Sequence, residues 1–302
     1  MTQAKGALVD ASKTYSVRHL TRLDYSNPVN HAEFNLRLKP YGWPDQWIDN
    51  HRLRLTPEPA YHREHVGPYC VNASHIAFAA PLQSLEVLST FTATLQVRPE
   101  PGDGPRLDGL RQETLAVRDL SRHAPAPYLF ASRIAGISAG IAAWAASSLG
   151  EGEAVVPAAS ALMAAIHNQF AYRTGATDAA TPPEQAFAAR EGVCQDFAHV
   201  MIMALRSHGI AAAYASGYLR TLPPPGQPRL VGADAMHAWV NVWCGKELGW
   251  IGFDPTNNCL ARQDHIQIGM GRDYADVAPI DGIFIGTDLQ EMESEVDVEA
   301  LD

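Results

Sequence analysis

The hydrophobic pattern of this chain changes period once, and that change restricts it to folds in which a β unit precedes a mixed one. In YSVRHLTRLDY, Tyr15, Val17, His19, Thr21, Leu23 and Tyr25 alternate with mostly polar neighbours, as in a half-buried strand. FNLRLKP repeats the pattern with Phe34, Leu36 and Leu38, and HRLRLTPEP with Leu53 and Leu55. SLEVLSTFTATLQVRP sets Leu85, Val87, Phe91, Ala93, Leu95 and Val97 on one face. Strands with no long helix between them predict an antiparallel, sandwich-like domain over residues 1–97. RPEPGDGPR (98–106) breaks the alternation with prolines and glycines and is the expected linker.

From residue 107 the period is helical. Residues 107–120 and 130–148 read as helices, as does PAASALMAAIHNQFAY (157–172), where Leu162, Ile166 and Phe170 recur at four-residue spacing. TPPEQAFAAR signals a helix start, with Thr181 as cap, Pro182 at the first helical position and Glu184 three after the cap. Gly192 ends that segment, and a second helix is expected from Cys194 to His208, closed by Gly209. IAAAYASGYLR, HAWVNVWC and GWIGFDPTN then read as strands. Helices followed by antiparallel-looking strands predict an α+β domain over 107–287, not a doubly wound sheet. The last stretch, 288–302, carries seven acidic residues and no basic one and is expected to be a solvated, disordered tail.

Composition narrows the function. A net charge of −10 argues against nucleic acid or an anionic membrane as partner. IAGISAGIAAWAASS (134–148) is too short and too rich in small residues to span a bilayer and reads as a buried helix. MTQAKGALVDASKTYSV has no apolar run of secretory type. Four scattered cysteines without a CxxC pair argue against a zinc ribbon or redox motif and fit a reducing cytoplasm, so the sequon at Asn72 carries no weight. Cys70, Cys244 and Cys259 have no motif around them and read as structural. HExxH, P-loop and GxGxxG patterns are absent, and no metal or cofactor is expected.

Cys194 is different, because it opens an apolar helix. A thiol is a useful nucleophile only as thiolate, which the positive end of a helix dipole and an adjacent imidazolium both favour. His237 opens the strand HAWVNVW, and Asp254 ends the strand GWIGFD just before Pro255. If the two runs pair as a hairpin, Asp254 neighbours His237 and can fix its tautomer and support its charge. Each residue has an ordinary reading of its own: a packed cysteine, one of twelve histidines, a turn aspartate. Their order and placement on element ends make the joint reading the sharper one. Asp196 favours the helix dipole whatever the function. His199, five residues from Cys194, falls on another helix face and is expected to be a core or interhelix hydrogen-bonding residue.

GVCQDFAHVMIMALRSHGIAAAYASGYL, GADAMHAWVNVW and GWIGFDPTN resemble the three successive motif blocks of the transglutaminase-like superfamily. Forty-three positions separate Cys194 from His237 and seventeen separate His237 from Asp254. YSVRHLTRLDYSNPVNHAEFNLRLKP resembles the opening of the β domain that precedes this core in bacterial members, so the likeness runs from Tyr15 to Phe284. The resemblance implies a papain-like fold, with Cys194 as nucleophile, His237 as base and then acid, and Asp254 as orienter. It also points to Tyr172, in FAY, as an aromatic near the cleft and a candidate oxyanion donor beside the Cys194 N–H. Gln195, Tyr218 and Trp239 are softer cleft candidates, and RTLPPPGQPRLVGADA (220–235) is an expected rim. Met236 departs from the serine that bacterial relatives commonly carry before the histidine.

The implied chemistry is thiol-dependent hydrolysis of an amide in a peptide, protein or small molecule. Transfer of the acyl group to an amine shares the first half-reaction and stays open. Two further readings are a zinc site built from Cys194, His237 and Asp254, and a binding module that has lost its chemistry.

Overall fold

The computed structural model describes residues 12–150, 152–220, 235–286 and 290–301. The amino-terminal alternation produces six strands: β1 (Ser12–Val29), β2 (His31–Leu36), β3 (Gln46–Thr56), β4 (Tyr61–Val66), β5 (Asn72–Phe78) and β6 (Leu82–Gln96). Three helices follow, α1 (Leu107–Ala116), α2 (Ala139–Ala145) and α3 (Val155–Gln169). Next come β7 (Ala171–Tyr172), α4 (Pro183–Ala189), β8 (Glu191–Gly192) and α5 (Cys194–Ser207). β9 (Ala212–Leu219), β10 (Met236–Trp243), α6 (Gly245–Leu248), β11 (Trp250–Asp254), β12 (Cys259–Ala261) and β13 (His265–Gly271) build a second β region. The chain closes with α7 (Tyr274–Val277), β14 (Ile280–Ile285) and β15 (Gln290–Ala300).

The three larger sheets run in the orders β15–β1–β6–β3, β14–β2–β5–β4 and β12–β11–β10–β9–β13, all with antiparallel neighbours. This is the expected α+β class, with an antiparallel β unit ahead of a helix-and-sheet core. One apolar face of β1 serves two partners. Its later half, Leu23, Tyr25 and Val29, packs on Phe34, Leu36 and Ile76 of the β14–β2–β5–β4 sheet. Its earlier half, Tyr15 and Val17, joins Phe91, Val296 and Val298 against Tyr218, Ile266 and Ile268 of the five-stranded sheet. Each such side chain contributes about 1.5–3 kcal/mol when fully buried, so the two units are joined by a core of their own.

The acidic tail corrects the expectation of disorder. Gln290–Ala300 forms β15, which pairs with β1 and sets Val298 opposite Val17 and Val296 opposite His19. Glu295 and Asp297 alternate to the other face, within 3.7 Å and 3.6 Å of the Arg18 guanidinium. β14 pairs with β2, so the β unit takes its last two strands from the far end of the chain.

The helix expected over 130–148 forms only at Ala139–Ala145, with Ser138 as cap. The preceding stretch is held irregular by partners elsewhere: Ile134 N–H donates to Asp273 Oδ2 at 2.7 Å, and Ser132 Oγ accepts from Arg206 Nη1 at 3.1 Å. At α4 the cap position is Pro182. The Thr181 hydroxyl instead donates to Asp178 Oδ1 and accepts the Asp178 N–H, closing the turn before the helix. α5 is buried nearly all round, from Asp196 to Arg206, as befits a helix enclosed between a sheet and other helices. Among the described residues no helix is long and apolar enough to cross a membrane.

Candidate active site

The start of α5 is fixed by backbone pairing and one carboxylate. Arg190 turns the chain into the left-handed region (φ 56°), and Glu191–Gly192 pairs in parallel with Ala171–Tyr172. Val193 is extended, and Asp196 folds back so that Oδ2 accepts the Val193 N–H at 2.8 Å and the Thr177 hydroxyl at 2.6 Å. A Cβ on Gly192 would stand 2.6 Å from Asp196 Oδ2, so the glycine makes room for that carboxylate. Cys194 thereby becomes the first helical residue, half-buried, at the positive end of the dipole.

His237 and Asp254 come together as the strand pairing requires. β10 and β11 are antiparallel, with Val240 opposite Phe253, which brings the end of β11 to the start of β10. Asp254 is fully buried. Its Oδ1 accepts the N–H groups of Thr256 and Asn257 at 2.9 and 3.1 Å. Its Oδ2 accepts Asn257 Nδ2 at 2.7 Å, His237 Nε2 at 2.8 Å and His265 Nε2 at 3.1 Å. Burial alone would raise this carboxyl, but hydrogen bonds from His237, His265 and Asn257 outweigh it and hold Asp254 well below the usual carboxylate range. For His237, burial opposes the charge, yet Asp254 and then Cys194 prevail and raise it to about 10. With Nε2 taken by Asp254, Nδ1 is the ring nitrogen left for Cys194.

A cleft of about 380 Å³ opens on this group, walled by Tyr172, Cys194, Leu219, Ala235, Met236, His237, Thr256 and Asn257. Tyr172 lines this cleft together with Cys194 and is 56% exposed. Gln195, Tyr218 and Trp239 are not among the described residues that line the cleft. Tyr218 is buried at the join between the two units, its hydroxyl 2.7 Å from His19 Nδ1. Trp239 fills the hollow of the curled five-stranded sheet. Its ring stands 5.3 Å from that of His265, and a Cβ on Gly217 would lie 2.5 Å from it. Both are corrections with one cause: alternation told which face they occupy, not that another layer covers it. His199 is buried and accepts the Tyr274 N–H at 3.2 Å, as expected. The proline-rich rim at 220–235 lies, apart from Arg220 and Ala235, outside the described residues.

Residues 142–255 match the Transglutaminase-like superfamily, and residues 15–101 match the Bacterial transglutaminase-like N-terminal region. Uncharacterised proteins of Mycobacterium bovis and Mycobacterium tuberculosis are each 35% identical over 282 residues, covering 89% of this chain and 87% of theirs. The chain belongs to the transglutaminase-like superfamily. Its fold is similar to that of a crystal structure described as "a Putative Cysteine Protease" from Cytophaga hutchinsonii. That likeness has a TM-score of 0.74 at 23% identity and covers 96% of this chain and 91% of the other.

Two residues beside the transglutaminase-like core positions escaped the sequence reading. Asn257 belongs to the turn after Asp254 and reads as a turn residue. His265 lies ten positions beyond the matched core, on the strand HIQIGMG. The available signal was the alternation of polar His265 and Gln267 within an otherwise apolar strand. Ligand atoms of His237, Asp254 and His265 lie within 4.8 Å of one another, and this is the set that could hold a metal among the described residues. Cys194 is not part of it, unlike in the zinc reading of the sequence.

Proposed function

We propose that this protein is a thiol-dependent hydrolase of amide bonds, with Cys194 as nucleophile, His237 as base and then acid, and Asp254 as the group that orients His237. The observation that carries the reading is the position of His237: Nε2 bonds Asp254 at 2.8 Å while Cys194 bears on the same ring. A histidine that bridges the other two residues suits proton transfer, whereas ligands of one ion would converge.

In this reading Cys194 Sγ bonds to the carbonyl carbon, and the C–N bond breaks as His237 gives its proton to the departing amine. The thioester is then attacked by water, which yields a proton to His237. Cleavage of the C–S bond releases the acid and restores the thiolate. The oxyanion that develops is met by the Cys194 N–H, which has no intrahelical acceptor, and by the Tyr172 hydroxyl. Apart from Cys194 and His237, the described cleft walls are uncharged, which supports a neutral amide in a peptide, protein or small molecule as substrate.

The test is ammonia or amine release from glutamine-containing dipeptides and a peptide library, in buffer and with a labelled primary amine. Release in buffer that Cys194→Ala abolishes supports hydrolysis, and label incorporation exceeding hydrolysis would assign amine transfer instead. Iodoacetamide labelling of Cys194 at pH 6, mapped by peptide mass spectrometry, accompanies it. Labelling no faster than free cysteine, unchanged in His237→Ala and without turnover, would overturn the enzyme reading. Labelling blocked until a chelator is added would point to a metal.

A further inference from the structure

Asp254 receives two imidazoles on one oxygen. His265 Nε2 lies 3.1 Å from the same Oδ2 that His237 Nε2 reaches at 2.8 Å, and the His265 side chain is only 6% exposed. Its other nitrogen, Nδ1, accepts the Arg262 backbone N–H at 3.4 Å, so Nε2 carries the proton and donates to the carboxylate. Asp254 Oδ1 is held by N–H groups of its own turn. The twist of the carboxylate therefore depends on what bonds Oδ2, and His265 and Asn257 are the partners that are not His237.

The strand bearing His265 is in turn gripped by the β unit on either side. Asp264, just before it, accepts the Tyr15 hydroxyl at 2.5 Å and Lys13 Nζ at 2.8 Å. Gln267, two residues after it, exchanges two hydrogen bonds with Gln46 of β3, at 2.8 and 2.9 Å. The ring of His265 also abuts Trp239 edge-on.

We propose that His265 is a positioning residue, holding the Asp254 carboxylate toward His237, and that β1 and β3 of the amino-terminal unit set His265 itself. The inference rests on the reading of Cys194, His237 and Asp254 as the reacting set, and it gives the β unit a part in aligning them. The titratable groups facing this carboxylate are His237 from β10, His265 from β13 and Cys259 from β12, with Cys194 of α5 beyond His237 and Asp264 beside His265.

The test compares His265→Gln, which keeps an N–H donor near Nε2, with His265→Leu, which keeps none. His237 ring tautomer and titration are followed by NMR, Cys194 labelling by iodoacetamide at pH 6, and folding by thermal unfolding. The expected result is labelling within about threefold of wild type for Gln and at least about tenfold slower for Leu, with the His237 titration moved in Leu alone. Should His265→Leu fail to fold, Tyr15→Phe with Asp264→Asn loosens the grip on the strand from outside the site and must still move the His237 signals. An unmoved His237 in a folded Leu variant, or in that double variant, would overturn the inference. Equal losses in Gln and Leu that follow thermal stability would do the same. The NMR readout needs no substrate, so a wild-type Cys194 without enhanced reactivity would fail the hydrolase reading separately.

Discussion

His19 Nδ1 and the Tyr218 hydroxyl meet at 2.7 Å across the join between β1 and β9, and both residues are buried. The other imidazole nitrogen, Nε2, lies 2.9 Å from Ser294 Oγ on β15 and 3.1 Å from Thr21 Oγ1. One side chain thus ties together the first strand, the last strand and the sheet that carries His237. Burial pushes His19 down to about 4, so the folded protein keeps this ring neutral at neutral pH.

That burial makes stability depend on pH in a definite direction. His199 is likewise lowered to about 4, chiefly by burial. The unfolded chain protonates both rings near pH 6.5, the folded chain only near 4, so stability falls as pH drops through that window. Each ring costs about 1.4 kcal/mol per pH unit there. His237 acts oppositely: raised to about 10, its contribution is complete below pH 6.5 and is lost as pH rises toward 10. Asp254, held low, keeps its contribution above the unfolded carboxylate value and loses it only in stronger acid. The urea midpoint should therefore peak near pH 6.5, with a shallower acid limb in His19→Gln. A midpoint flat between pH 4.5 and 6.5 would refute this.

The carboxy-terminal strand should behave as core despite its charge. Val298 is fully buried against β1, whereas Glu295 only flanks Arg18 and Arg22 at the surface. Val298→Ala should cost about 2 kcal/mol in urea unfolding, and Glu295→Gln less than about 0.5 kcal/mol. Equal effects from the two would mean that β15 is not docked as described.

How legible the molecule was in its sequence differs by kind of residue. Cys194, His237 and Asp254 were readable because each sits at the end of an element inside a contiguous motif block. β15 was readable too: Ser294, Val296, Val298 and Ala300 alternate with acids, but the charge run hid the period of two. Tyr218 and Trp239 were misplaced because a strand pattern names a face and not its cover. The alternation of His265 and Gln267 marked a polar pair on an apolar strand but not what it meets, since only the curl of the sheet brings β13 to the end of β11.

Asp254→Asn removes the larger of the two influences that override burial at His237 and leaves that of Cys194. The imidazole should then titrate well below about 10, and Cys194 labelling at pH 6 should slow by at least about tenfold. Histidine NMR and peptide mass spectrometry check the two halves separately. A His237 midpoint still above pH 8 would show that Asp254 is not what sustains the charge.

Gly192→Ala should disturb the start of α5 through space alone. Gly192 carries no left-handed backbone angle, so alanine is permitted there on backbone grounds. Its Cβ would lie 2.6, 2.8 and 2.9 Å from Asp196 Oδ2, Cβ and Cγ. Asp196 cannot swing aside without giving up the Val193 N–H and the Thr177 hydroxyl. The variant should lose about 2–4 kcal/mol in urea unfolding and label more slowly at Cys194, because the helix N-terminus moves with the lost bonds. Asp196→Ala alone sacrifices the same two bonds without a clash. In the double variant the alanine at 192 no longer meets Oδ2 or Cγ, only the Cβ at 2.8 Å, and the two hydrogen bonds are lost once instead of twice. Its loss should therefore fall short of the sum of the singles by more than about 1 kcal/mol. Additive losses would mean that Gly192 and Asp196 act independently and that the carboxylate does not set where the helix begins.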